Sequence, residues 1–365
     1  MKTDLPYQIA LTKIEGVGDV IAKNLISYCG SVEGVFKEKK AFLEKIPNIG
    51  IKTAASISKF SDFDSINKEI EDLVKHKIET LFYLDAEYPK RLKNYDDSPI
   101  VLYYKGTANL NHSSVISVVG TRKSSTYGKL FTDQLAEALS PFNPLIVSGL
   151  ADGSDTNAHK AALKNNMETV GVLGHGLHTI FPSSNRNLAA EMLSKGGLLT
   201  EYAYKAPGMK ENFPQRNRIV AGMSDALIVI ESGEKGGSMI TVEIANSYNK
   251  DVYALPGRMN DTFSKGCNKL ISQNKAAIIY STEQLLFELG FDKKSSAKKT
   301  QQISMYVELS ETEKMIINML RKEAMAIDDL FLETKISMSK LALLLLDLEF
   351  KNLVISLPGK KYALN

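Results

Sequence analysis

The chain has 365 residues, 44% of them hydrophobic and 24% charged, which is enough apolar material for two or three packed domains and excludes global disorder. Its formal net charge is only +3, so any nucleic-acid surface must be a local patch and not a property of the whole molecule. Two cysteines, Cys29 and Cys267, exclude a disulfide framework or a cysteine zinc site and suit a reducing compartment, while the lack of a signal-type or eighteen-residue apolar run points to a cytoplasmic chain with no membrane partner.

Residues 1–75 have a helical pattern with polar loops. Two segments look alike: Ile14-Glu-Gly-Val-Gly18 followed by Ala22, and Ile46-Pro-Asn-Ile-Gly50 followed by Ala54. Each reads as helix, glycine turn, helix, with a small alanine where the two helices approach. The pair resembles a tandem helix-hairpin-helix unit, whose turns offer backbone N–H groups to a DNA phosphate. A helical domain of sterile-alpha-motif type, making no DNA contact, is the other reading, because Asn48 stands where the first copy has Gly16.

Residues 76–290 alternate short apolar runs with helical patterns. Strands are predicted at Val115–Val119, Leu145–Ser148, Thr169–Leu173, Leu198–Glu201, Ala226–Glu231, Asp251–Leu255 and Ala276–Tyr280, with helices such as Tyr127–Leu139 and Ser238–Asn249 between them. Apolar-throughout strands alternating with helices imply a doubly wound, mostly parallel α/β sheet, which binds ligands outside the carboxyl ends of its strands. Ile78–Tyr104 is expected to extend one edge. Thr282–Leu289 carries more apolar surface than one sheet edge needs and is the expected homodimer contact. Residues 291–304 read as a charged linker, and 305–365 as three helices and a Pro-Gly hairpin, a winged-helix pattern. Its third helix, Ser337–Lys351, is leucine-rich and poor in cations, which favours a protein-interaction or structural role.

The predicted strand ends share one theme. Gly120, Thr121, Arg122 and Lys123 lie between a strand and a helix starting near Thr126; Ser148 and Gly149 open a second glycine turn; Phe181 to Asn185 and Gly233 to Thr241, with Gly237 and Ser238, form two more. Such turns expose N–H groups and the positive end of a helix dipole, which suits anions. Arg216, Asn217 and Arg218 add donors in a phosphate-matching geometry. Phe181, Phe213 and Tyr127 are candidate stacking faces, although Phe213 reads equally as a loop anchor. No Gly-x-x-x-x-Gly-Lys-Ser/Thr loop is present, and Gly171 to Gly176 does not fit Gly-x-Gly-x-x-Gly, so no nucleotide cofactor is expected. Asp155 and His159 are four apart on one helix face without a third ligand or a nucleophile. This reads as a helix-terminal aspartate and a hydrogen-bonded histidine, with no metal and no catalytic residue. His175 and His178 sit in a loop after a strand.

Six ordered motifs carry a family resemblance: Gly-Thr-Arg (120–122), Ser-Gly-Leu-Ala-x-Gly-x-Asp-x-x-Ala-His (148–159), Phe-Pro-x-x-Asn (181–185), Phe-Pro-x-Arg-Asn-Arg-Ile-Val-Ala-Gly-x-Ser (213–224), Gly-Ser-x-x-Thr (237–241) and Ala-Leu-Pro-Gly (254–257). The chain thereby resembles the DNA-processing protein A family (DprA/Smf). The resemblance implies a Rossmann-like domain that binds single-stranded DNA, protects incoming DNA in natural transformation, helps load the RecA recombinase, forms homodimers and is not an enzyme. It makes Arg122 the phosphate-binding arginine, Phe181 and Asn185 the lining of a base pocket, and Arg216, Asn217 and Arg218 its shape and charge. The chain departs from the family in Thr121, in Phe181 for a common tyrosine, and in Asp152 and Ser154, of which Asp152 puts a negative charge where a basic residue is usual. A second resemblance, of Gly236 to Glu243, is to the loop of nucleoside-monophosphate phosphoribohydrolases of the lysine-decarboxylase-like family, with Arg122 and Glu243 in the nucleotide-handling roles. A third reading is a scaffold for a small nucleotide signal.

Overall fold

Both copies of the repeated N-terminal pattern fold as expected. Helix α1 (Leu5–Thr12) turns into α2 (Asp19–Cys29); α3 (Val32–Lys37) and α4 (Lys40–Leu43) lead through a second turn into α5 (Ile51–Lys59), and α6 (Phe63–Lys75) follows. The computed structural model describes residues 4–291, 309–321, 323–351 and 353–364. Gly16 in the first turn has φ +82°, and Asn48 fills the equivalent place at φ 66°, the left-handed region that asparagine tolerates best after glycine. The sequence difference between the two turns is therefore conformationally silent. The helices enclose Ile9, Leu25, Leu43, Ala54, Ile57 and Ile66, and the same core continues through Phe82, Ile100, Val101 and Tyr103.

Strand β1 (Glu79–Phe82), the short helix α7 (Lys90–Lys93) and β2 (Val101–Gly106) form the edge extension. Then come β3 (Val115–Val119), α8 (Thr126–Leu139), β4 (Leu145–Ser148), α9 (Ser154–Lys164), β5 (Thr169–Val172), α10 (Arg186–Met192), β6 (Gly196–Thr200), α11 (Asn212–Met223), β7 (Ala226–Val229), α12 (Gly237–Ser247), β8 (Asp251–Ala254) and α13 (Lys265–Ser272). The strand order is β1-β2-β6-β5-β4-β3-β7-β8. From β6 to β8 every pairing is parallel, whereas β1–β2 and β2–β6 are antiparallel. The chain winds outward from β3 to β6 on one side and resumes beside β3 with β7. That reversal opens a crevice at the carboxyl ends of the central strands. Strands β3 to β7 are buried throughout, as expected of strands covered on both faces.

The chain divides into two compact units, Met1–Ala276 and Ala277–Asn365. The second holds β9 (Ala277–Ile278) and α14 (Thr282–Glu288), then α15 (Glu311–Leu320), β10 (Met325–Ala326), α16 (Ile327–Thr334), α17 (Met338–Phe350), β11 (Val354–Leu357) and β12 (Lys361–Leu364). Apart from Phe291, the expected linker at 291–304 lies outside the described residues. Three helices and the β10-β12-β11 sheet make the winged helix; β10, a two-residue strand, had no sequence signal of its own. α17 buries Leu341, Leu345 and Leu348 and leaves Leu343, Leu346 and Phe350 exposed. In α14, Leu285 is buried while Phe287 is 69% exposed.

The first turn of α15 is held by a reciprocal cap. Glu313 Oε2 accepts from the Ser310 N–H (2.7 Å) and hydroxyl (2.6 Å), and Oε1 accepts from Lys351 Nζ (2.5 Å) at the end of α17. Burial pushes the Glu313 carboxyl up, but the Lys351 and Ser310 hydrogen bonds outweigh it and hold the pKa at about 2. A depressed folded-state pKa contributes stability above the unfolded value that disappears as pH falls through the folded one. The winged-helix unit is therefore expected to lose about 2 kcal/mol or more between pH 5 and pH 2, and Glu313→Gln to remove most of that dependence. Calorimetry of the full chain, following the transition of this unit, checks it.

Candidate nucleic-acid interface

The crevice is built by the segments that follow β3, β4, β5 and β7, and by α11, which supplies the Arg-Asn-Arg group. All three of those residues are helical, so Arg216 and Arg218 leave α11 on different faces. Arg216 is 5% exposed and runs under the strand ends. Its guanidinium donates to Gly149 O (2.5 Å) and to Val172 O, bridging the carboxyl ends of β4 and β5. Close approach there requires glycine, since a Cβ on Gly149 would meet Arg216 at 2.6 Å. Burial works against the charge on Arg216 and equally on the neighbouring Asp155, and each ion offsets part of the other's desolvation. Arg218 donates to both oxygens of Glu201 (2.5 and 2.6 Å), to Asp19 (2.9 Å) and to Asp97 O (2.9 Å). The two arginines were expected to offer free forks to phosphate. Both are instead committed within the protein, Arg216 as the floor of the crevice and Arg218 as the tie between α2, α11 and the segment after β6.

Other expected site residues are also internal. Ser148 donates to Val118 O (2.6 Å) and is fully buried. Asn185 is buried, and its amide donates to Leu150 O (3.0 Å) and Thr156 Oγ1 (2.8 Å). It thereby braces Leu150, which sits at φ 58°, a costly conformation for leucine. Asn185 is thus a clamp on the loop after β4 and not a lining group for a base. Ser238 donates to Ser232 Oγ (2.8 Å), and Thr241 is buried. Asn217 makes a long contact to Gly237 O (3.4 Å). His159 is buried, bonded through Nδ1 to Thr169 (2.7 Å), and burial with Arg216 nearby lowers its pKa to about 3. Asp155 accepts from the Ala151 N–H (3.3 Å). Among the described residues no group of His, Cys, Asp or Glu is arranged to hold a metal ion, and no helix is long and apolar enough to cross a membrane.

Two of the helix N-termini expected to bind anions already hold one. Glu231, buried after β7, accepts from the Ser125 N–H (2.8 Å) and from the Ser124 (3.2 Å) and Ser125 (2.5 Å) hydroxyls at the start of α8. Gly128 allows this approach, since a Cβ there would meet the carboxylate. At α9 the acid is Asp155 of the first turn, which accepts from the Ala151 N–H ahead of the helix (3.3 Å). The starts of α10 and α12 have no acidic residue in their first turn, and Gly237 at the latter is exposed and open. Glu243, the glutamate of the nucleotide-enzyme reading, pairs with Lys275 (2.6 Å).

What remains open to solvent is a smaller set. Arg122 and Lys123 are exposed on the turn after β3, with no ion pair to a described residue. Gly120 and Thr121 shape that turn: Gly120 packs against Ser154, Thr121 O accepts from the Ser154 N–H (3.0 Å), and Thr121 Oγ1 from the Lys123 N–H (3.2 Å). Phe181 is 56% exposed and its ring centre lies 5.8 Å from that of Phe213. Tyr127 is half exposed and donates to Pro256 O (3.1 Å). Two neighbours were not among the expected site residues. Arg186 is exposed at the start of α10, directly after Asn185. His175 holds the platform: Nε2 accepts from the Phe181 N–H (3.3 Å) while Nδ1 donates to Gly176 O (2.9 Å). Burial lowers its pKa, which keeps the imidazole neutral as this arrangement needs.

The fold and site define a protein with a Rossmann-like sheet that carries exposed cations and an aromatic pair at the carboxyl ends of its strands, preceded in the chain by a tandem hairpin and followed by a winged helix. Comparison with known families matches residues 79–290 to the DNA recombination-mediator protein A family, 306–360 to the DprA winged helix domain and 9–60 to the SAM-like helix-hairpin-helix tandem. Protein Smf of Synechocystis sp. is 31% identical over 98% of both chains. The X-ray structure of DprA from Streptococcus pneumoniae superposes with a TM-score of 0.68 at 32% identity, covering 78% of this chain and 97% of that one. DprA from Helicobacter pylori, whose structure describes a single-stranded DNA binding mode, gives 0.53 at 30% identity, covering 58% and 94%. The chain belongs to the DprA/Smf family of DNA-processing proteins.

Arg218→Ala leaves two carboxylates without their partner, and is expected to lower stability by about 2–4 kcal/mol in urea denaturation of the full chain. Oligonucleotide affinity per folded molecule should stay within about twofold. A large affinity loss in folded Arg218→Ala would place the guanidinium on DNA after all.

Proposed function

We propose that this chain binds single-stranded DNA in the crevice, protects incoming DNA during natural transformation and loads the RecA recombinase, acting in the cytoplasm as a homodimer with no enzymatic activity and no cofactor. The observation that carries this reading is the pairing of unpartnered cations, Arg122 and Lys123, with an aromatic pair, exposed Phe181 and half-buried Phe213, at one end of the sheet. Sequence-tolerant binding of single strands needs these two elements, charge for the backbone and faces for the bases. The family membership and the named binding mode of the Helicobacter pylori relative support it. The reading keeps Gly120, Thr121 and Gly149 as turn-shaping residues and Gly237 as an open helix start. It also keeps the division into 1–75, 76–290, 291–304 and 305–365, with DNA held by the second part. The winged helix, whose α17 shows leucines and Phe350 to solvent, is assigned to protein contacts. The phosphoribohydrolase reading is not favoured: Glu243 is paired to Lys275 and the start of α8 is filled by Glu231.

Arg122→Ala is expected to weaken binding of all single strands alike, with the salt slope of log K falling by roughly 0.7 for one lost phosphate contact. Phe181→Ala should cost about 1–3 kcal/mol with the slope unchanged. Fluorescence anisotropy across a salt series distinguishes the two, and unchanged affinity in both folded variants would sink the proposal. For assembly, Phe287 is the exposed apolar group of α14. Phe287→Glu is expected to shift the chain to monomer in light scattering while short oligonucleotides still bind; a monomeric parent at micromolar concentration would contradict the homodimer.

A further inference from the structure

An exposed carboxylate on the crevice works against its charge. Asp152 is exposed on the loop between β4 and α9 and forms no ion pair with any described residue. Its Oδ1 accepts from the Ser184 hydroxyl (3.1 Å), which ties it to the loop carrying Phe181, three residues earlier. On its other side Gly153, at φ 79°, packs directly on the backbone of Thr121 and Arg122. The carboxylate therefore sits between the turn that bears the cations and the loop that bears the aromatic platform. Oδ2 has no partner among the described residues.

A carboxylate in that place repels phosphate, so for a backbone-only grip it is a loss. It is matched to a different partner, the N–H groups on the edge of a base. A base lying on Phe181 turns an edge towards its surroundings, and an acid accepts from the exocyclic amine of cytosine or from the adjacent N1–H and N2–H₂ of guanine. Thymine presents O4 and O2 on either side of its single N3–H, and both repel the acid. We propose, resting on the single-strand reading of the pocket, that Asp152 is a specificity-determining residue that makes this protein discriminate against thymine and favour bases with an amino group beside a ring edge. Ser184 fixes the orientation of the acid by holding one oxygen and leaving the other for the base.

The test compares dC12 with dT12, two pyrimidine strands of equal charge, with dT12 carrying one central dG as a third probe. Anisotropy titrations of the full chain at fixed salt are expected to give dC12 at least threefold tighter than dT12, with the single dG restoring part of the difference. In Asp152→Asn the gap should close, because the amide both accepts and donates, and affinity for dT12 should rise. Asp152→Ala should likewise close the gap. Equal affinities in the parent protein, or an unchanged preference in both variants, would overturn the assignment. Failure of all three probes to bind would instead reject the pocket itself, and the assignment with it. Binding of dT12 equal to dC12 leaves the pocket standing and removes only the role of Asp152.

Discussion

The buried guanidinium of Arg216 is the element on which the crevice depends. It lies under the carboxyl ends of β4 and β5, donates to a carbonyl of each, and has Asp155 beside it to share the cost of desolvation. Carbonyls at the end of a parallel strand face a helix N-terminus or solvent, and here a cation from α11 closes them off. The loops after β4 and β5 are thus pinned to a common floor. The turn of Arg122 rests on the first of them through the Thr121–Ser154 contact, and the Phe181 loop reaches it through Asn185. Arg122 and Phe181 thus stand on loops tied to this floor, although Arg216 itself is almost wholly buried.

A second constraint acts at the opposite edge of α11. Asp19 begins α2 and accepts both from Arg218 and from the Ile100 N–H (3.0 Å). Lys23, one turn on, donates to Tyr95 O (3.0 Å), Asp96 O (2.8 Å) and Ser98 (2.7 Å). The helical hairpins are consequently part of the same packed body as the sheet, and share apolar residues with its first two strands. The hairpin turns themselves, at Gly16 and Asn48, remain exposed.

Much of the architecture was legible in the chain because apolar runs of four or five residues between glycine turns have few other uses. β3 and β4 fall on their expected residues, and β5, β7 and β8 stop one or two residues early, where the backbone turns into the site. The hairpins were legible from Gly16 and Gly18, and the doubt raised by Asn48 dissolves once its positive φ is seen. The site was less legible. On either side of Asn217 in the sequence, Arg216 and Arg218 read as one cationic cluster, yet two residues of helix rotate them to nearly opposite faces. The partners that neutralise Arg218 include Asp19, which is 199 residues away, so no local pattern could reveal them. Buried and exposed arginines look identical in a sequence; only long-range packing separates Arg122 from Arg216. Likewise nothing local distinguishes His175, which supports Phe181, from His178.

The carboxylate of Glu231 at the start of α8 bears on how such a protein lives among small molecules. Doubly wound sheets commonly leave that helix start to the phosphate of a mononucleotide. Here the place is taken by a side chain of the same molecule, an intramolecular competitor at very high effective concentration. Free nucleotides would have to evict a buried acid with three hydrogen bonds before gaining any of their own. The α8 start is thereby closed to a free phosphate by the chain itself, while the neighbouring turn of Arg122 stays open to solvent.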